Sequence, residues 1–212
     1  MGDHMSFRLL RRAVLVSIPF VLATAPAFAH HVMGGRTPST FMEGLLSGLG
    51  HPVIGPDHLA FLLAVGVAVG VGGLNLALPA VFVAATAIGV VVHVNGIGLP
   101  ATEIIVALSV LLAGFLIARG RALPVPVWVG IFAVAGLFHG YAFGESIFGA
   151  EASPLGAYLL GLVAIQGVLA VAIALVARRI GMGISEPASR LAGAAIVGVG
   201  FTALVGQLVL GA

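Results

Sequence analysis

The sequence contains no cysteine and no lysine, and charged residues make up only 8% of it. Without cysteine there are no disulfides and no thiolate metal sites. Any metal must bind imidazole, carboxylate, amide, thioether or backbone groups. Without lysine, all nine basic side chains are arginines. A soluble domain carries about 25% charged residues. A charged share of 8% is too small to cover a water-facing surface, so lipid must be the main solvent. The pI near 9.9 does not indicate nucleic acid. Arg8, Arg11 and Arg12 fall in a targeting segment, and no soluble basic patch remains.

What is abundant is apolar: 60% of the residues are hydrophobic and the mean hydropathy is +1.22. The 31 glycines suit closely packed transmembrane helices. Residues 6–29 read as a secretory signal peptide, with an uncleaved anchor as the alternative. Arg8, Arg11 and Arg12 are its positive region, Ala13 to Thr24 its apolar region, and Ala27-Phe28-Ala29 an A-x-A cleavage site. The expected domains are therefore a leader over residues 1–29 and a membrane domain over residues 30–212. Met1 to Met5 read as a cloning remnant or a misassigned start. Cleavage after Ala29 leaves His30-His31 at a new terminus, where an amine beside two imidazoles can chelate a divalent ion. A solvated terminus with no ligand role is the plainer alternative.

Six apolar runs follow: Pro56 to Gly72, Leu76 to Val94, Ala101 to Ala118, Val125 to Phe143, Pro154 to Ala177 and Ala188 to Leu210. The expected fold is an all-α integral membrane protein, a six-helix transmembrane bundle after a cleavable signal peptide. The first run is short unless residues 40–50 pack as a separate half-helix before it, so the first span is expected to be broken near its start. Arg119, Arg121, Arg178, Arg179 and Arg190 fall in two loops that a six-span chain places on one side. The positive-inside rule makes that side cytoplasmic and both mature termini exterior. Signal cleavage gives the same orientation. No internal repeat is evident.

Ionisable groups inside a bilayer cost roughly 2.5–3.5 kcal/mol each on insertion scales, yet here they cluster. His51-Pro52-Val53-Ile54-Gly55-Pro56-Asp57-His58 holds two histidines and an acid around three helix-breaking residues. A bend followed by a helix from Pro56 is expected, with Asp57 and His58 in its first turn. Such a bend can bring His51 back beside them. Phe138-His139-Gly140-Tyr141-Ala142-Phe143-Gly144-Glu145 ends the fourth run. There His139 and Glu145 lie about 240° apart on an ideal helix. They share no face unless the glycines unwind the helix end. His93 and Asn95 end the second run. With the orientation above, all these groups lie toward the exterior half of the membrane, so four histidines and two carboxylates can converge on one cavity. Each has a plainer use: His93 as a hydrogen-bond partner between helices, Asp57 as a first-turn acid favoured by the helix dipole, Glu103 as a cap, Glu43 as an interfacial residue. Imidazole with carboxylate and no thiolate suits nickel, cobalt or zinc.

The stretch His51-x5-Asp57-His58 resembles the H-x5-D-H motif of the HupE/UreJ permeases. Phe138 to Glu145 resembles their F-H-G-x-[AV]-x-G-E motif. A leader and six spans also fit, so the resemblance covers nearly the whole chain. It implies a nickel permease, with cobalt carried by some members. It implies a metal path through His51, Asp57, His58, His139 and Glu145, and association with hydrogenase or urease maturation or a metallochaperone. His93, His30 and His31 are added by placement and chemistry, not by the motifs. The expectation is a non-enzymatic secondary transporter in the bacterial cytoplasmic membrane, with no prosthetic group and with nickel(II) or cobalt(II) as cargo. No nucleotide-binding motif is present. The rivals are a metal-binding or sensing subunit without transport, an intramembrane metallohydrolase (disfavoured because H-E-x-x-H is absent), and a proton-conducting or purely structural protein.

Overall fold

Among the described residues, regular structure begins where Thr40 meets Glu43. The Thr40 hydroxyl accepts the Glu43 amide at 3.2 Å. The Glu43 carboxylate accepts the Thr40 amide at 3.3 Å and the Ser39 amide and hydroxyl at 2.8 and 2.9 Å. This reciprocal capping box satisfies amides that a helix start leaves without partners. It gives Glu43 a structural duty at the first helix, α1 (Phe41–Ile54). The computed structural model describes residues 36–209, and among these there is no strand. The leader, the A-x-A site, His30 and His31 lie outside the described residues.

Six further helices follow: α2 (Pro56–Val71), α3 (Pro79–Val94), α4 (Thr102–Ala118), α5 (Val125–Gly144), α6 (Ala152–Arg179) and α7 (Pro187–Val209). A 3-10 turn over Glu145–Ile147 extends α5. Helices α2 to α7 fall on the six apolar runs. Prolines mark several starts: Pro56, Pro79 and Pro187 are the first residues of α2, α3 and α7. A first-turn position suits proline, because its missing amide has no helical partner there.

Three helical segments, Val125–Ile147, α6 and α7, are long and apolar enough to cross a membrane by themselves. Helices α1 and α2 pass that test together, as a pair bent by 79°. The break is local chemistry. Pro52 inside α1 and Pro56 at the head of α2 each lack an amide, so the carbonyls of Gly48 and Pro52 lose their usual donors. Gly55 between them is extended, at φ −74° and ψ 114°. Helices α3 and α4 are apolar but have only 16 and 17 residues. At 1.5 Å per residue α3 covers about 24 Å, short of a hydrocarbon core of about 30 Å.

Helix pairs meet through small residues. Gly44 and Gly48 of α1 lie against the backbone of Pro154 and Tyr158 of α6, and Gly66 and Gly70 of α2 against Ala170 and Ala174. Gly136, Gly140 and Gly144 of α5 lie against Phe82, Thr86 and Val90–His93 of α3. These registers rise together, so α6 runs parallel to α1 and α2, and α5 parallel to α3. Gly193 and Gly200 of α7 meet Ala118 and Leu111 of α4 in opposite order, so that pair is antiparallel. Lipid supplies no hydrophobic drive between helices, and close backbone approach takes over that role. One end of the structure carries arginines that bind backbone carbonyls: Arg178 donates to Leu74 O in the loop after α2, and Arg190 to Ala118 O at the end of α4 at 3.3 Å. The α1–α2 break lies at the opposite end of α2 from Leu74.

Candidate metal centre

Helix α1 ends just before the break and carries His51, while α2 starts just after it and carries His58. Their rings are 6.3 Å apart, centroid to centroid, and nearly perpendicular at 83°. Helix α5 brings His139 to the far side of His58, with ring centroids 5.0 Å apart. All three histidines are buried, His139 completely. The folded chain thus lines up three imidazoles from three helices, with His58 in the middle.

Each ring is held by named partners. His58 Nδ1 and His139 Nδ1 are 2.9 Å apart. His139 Nε2 lies 2.9 Å from Ser109 Oγ, which donates to the Val106 carbonyl one turn back in α4 at 2.7 Å. His51 Nδ1 lies 3.0 Å from both Ser146 Oγ and Tyr158 Oη. Both hydroxyls also reach the Phe143 carbonyl, at 3.1 and 2.9 Å. The Phe143 ring packs against His51 and His58, with centroids 4.9 and 4.3 Å away, and Phe61 packs on His139 at 4.7 Å. An apolar wall therefore surrounds a narrow polar seam.

The acids lie around this seam. Asp57 occupies the first turn of α2, and its carboxylate accepts the His58 amide at 2.9 Å. Helix α5 stays regular through Gly144, so Glu145 points elsewhere than His139: it is exposed where His139 is buried. Glu103, expected as a cap, forms no side-chain cap on α4. It is half-buried and feels the charges of Asp57 and Glu145. Its place at the start of an apolar run gave too little signal to join it to the motifs. Ser109, Ser146 and Tyr158 were also missed, because an isolated hydroxyl in an apolar helix has no pattern of its own.

His93 stands apart from the three histidines. Its ring packs on Tyr141 and Phe148, at 4.5 and 5.7 Å, and its buried Nδ1 has no hydrogen-bond partner. Among the described residues, no three His or acidic side chains already converge as a metal cage. The arrangement sets imidazole nitrogens in a buried seam, with carboxylates at its edge to attract a cation.

The chain matches the HupE / UreJ protein family over residues 18–203. The chain belongs to the HupE/UreJ family. Protein HupE of Rhizobium leguminosarum bv. viciae is 34% identical over 184 residues, which cover 85% of this chain and 92% of that protein. No solved structure matches the chain. HupE/UreJ proteins are permeases, not enzymes, and the family is associated with nickel and cobalt uptake. The apolar helices of this HupE/UreJ member fit a multi-pass membrane protein.

Proposed function

We propose that this chain takes up a divalent transition metal across the bacterial cytoplasmic membrane as a secondary permease, with nickel(II) as first cargo and cobalt(II) second. The path runs through His51, Asp57, His58, His139 and Glu145. The observation that carries this reading is the line of three buried histidines from α1, α2 and α5, with Asp57 at the broken helix beside it. Irregular backbone at membrane depth is tolerated where it lines a cavity or is buried in protein, which favours the break as the working part of the chain. The histidines are bonded to one another and to hydroxyls rather than set in a closed cage. That suits an ion that must leave as well as enter.

In this reading α2 to α7 span the membrane six times. The parallel α2/α6 and α3/α5 pairs and the antiparallel α4/α7 pair agree with alternating spans. The arginine end faces the cytoplasm and the histidine end the exterior. His30 and His31, freed by signal cleavage, capture the ion first, and His93 flanks the outer half. A membrane potential of 100 mV, negative inside, draws a divalent cation inward with about 4.6 kcal/mol. A metallochaperone or a hydrogenase or urease maturation system receives the ion.

Purified protein in liposomes tests this. Nickel(II) uptake without ATP is expected, and single replacement of His58 or His139 by Ala should abolish it. If both variants insert, fold and transport nickel normally, the path is wrong. Tight binding without flux would instead identify a metal-binding or sensing subunit. A reporter fused after Ala212 should read exterior; a cytoplasmic signal would overturn the orientation.

A further inference from the structure

Helix α6 buries a polar side chain that the uptake path leaves unused. Tyr158, Leu162, Gln166, Ala170 and Ala174 follow one another at four-residue spacing, and all are buried. Residues spaced this way lie on one face of a helix. The Tyr158 hydroxyl is bonded to the Phe143 carbonyl. Gln166 differs: it is only 1% exposed, and its buried Oε1 has no hydrogen-bond partner. Among the described residues the other such side-chain atom is His93 Nδ1, at the C-terminal end of α3. Buried polar atoms in folded proteins nearly all have partners, so each exception asks for a reason. Polar groups kept among membrane helices mark ion pathways by default.

Packing places this amide just beyond the histidines. Gly48 of α1 lies against Tyr158 and Leu162, and Gly66 of α2 lies against Ala170 and Ile173. Between these two contacts α1 and α2 bend by 79°. Gln166 holds the middle of the matching stretch of α6, on the stripe that faces both helices. With Gly66 level with Ala170, one turn back on each helix sets Leu62 level with Gln166. His58 lies one further turn toward the break. Gln166 is therefore about 6 Å past His58, in the direction of the arginine end. Long side chains on a helix lean toward its N-terminus, which for α6 is the histidine end. The amide thus leans back toward the seam. Beyond His58, α2 buries only apolar side chains and glycine, as far as Val71.

We propose that Gln166 is the first ligand inward of the histidines: its Oε1 receives the divalent cation as the ion leaves His58. An amide oxygen accepts a cation without adding charge of its own. It is also a harder and weaker donor for nickel(II) or cobalt(II) than imidazole. Weak binding suits a step from which the ion must depart, because conduction needs sites that release as well as hold. The polar atom therefore costs the fold stability and serves transit, a trade that functional sites make. This rests on the metal-uptake reading, and it adds a residue that neither motif contains.

The full chain in liposomes, with nickel(II) as the probe, tests this. Gln166→Leu fills the place without an oxygen, and Gln166→Glu keeps the oxygen at the same reach. In Gln166→Leu the maximal uptake rate should fall roughly 10–100-fold, the loss that follows when a charged group gives up one partner. Its nickel(II) affinity by calorimetry in detergent should match wild type, because the histidines are intact. Its thermal unfolding should come at or above the wild-type temperature. Gln166→Glu should transport faster than Gln166→Leu. A merely structural role would not lower the rate while leaving affinity and stability in place. The inference is overturned if Gln166→Leu transports like wild type, if it unfolds below wild type, if its affinity falls together with its rate, or if the Leu and Glu variants transport alike. Absence of uptake by the wild type overturns the uptake reading and this ligand with it; normal wild-type uptake with an unaffected Gln166→Leu overturns the ligand alone.

Discussion

The α3–α5 contact gives a sharp prediction, because one substitution at two places in one helix should have opposite signs. A Cβ on Gly140 would lie 2.6 Å from the Thr86 carbonyl carbon, and closer still to its oxygen. Ordinary contact begins at 3.4 Å, so the shortfall is at least about 0.8 Å. The obstructing atoms are backbone, so no side chain can turn aside. The helices must separate along the Gly136-Gly140-Gly144 seam, and neighbouring His139 must move with α5. Overpacking a tight core costs about 1–3 kcal/mol, occasionally more. With backbone facing backbone, Gly140→Ala should reach the top of that range. Gly130, nearly three turns earlier in α5, has nothing within 4 Å of such a Cβ. There Gly→Ala should stabilise by about 0.5–1 kcal/mol through helix propensity. Thermal unfolding in detergent, followed by intrinsic fluorescence, reads both effects, and nickel(II) uptake in liposomes reads displacement of His139. Gly140→Ala should unfold well below wild type and lose uptake, while Gly130→Ala should match or exceed it. Equal behaviour of the two variants would falsify the close α3–α5 packing and the placement of His139 that depends on it.

Two further substitutions test the polar seam. Tyr158→Phe removes a hydroxyl bonded to the Phe143 carbonyl, but Ser146 stays on both Phe143 O and His51 Nδ1. The stability loss should be about 1 kcal/mol, with weakened nickel(II) binding because His51 is held by one oxygen instead of two; a larger loss by chemical denaturation would show that Ser146 does not substitute. Gln166 lies between Leu162, which faces α1, and Ala170, which faces α2, and its buried Oε1 has no partner. Replacing it with Leu should stabilise the protein by about 1 kcal/mol, measured by the same unfolding curve. A destabilised Gln166→Leu would mean that the amide is satisfied at the break.

Much of the architecture was written locally. Six apolar runs between glycine, proline and arginine punctuation correspond to α2 to α7, because helix starts and stops depend on neighbours in sequence. The break was legible too: Pro52, Gly55 and Pro56 remove amides and free the backbone, whatever surrounds them. The regular turn of α5 also followed from spacing, which is why Glu145 is exposed while His139 is buried. Two other features were not local. His58 and His139 are 81 positions apart, and their meeting depends on how α2 and α5 pack about their neighbours. No periodicity in the chain states which glycine seam meets which partner. The isolated hydroxyls of Ser109, Ser146 and Tyr158 gained a role only when packing set an imidazole beside each. Glu103 gained its acidic neighbours, and His93 its aromatic ones, in the same way. Composition and spacing alone say that histidines and acids sit among apolar helices and where the chain must bend. Which nitrogen meets which oxygen follows from the packing of the helices, because hydrogen bonds act over about 3 Å and helix packing alone brings distant residues that close.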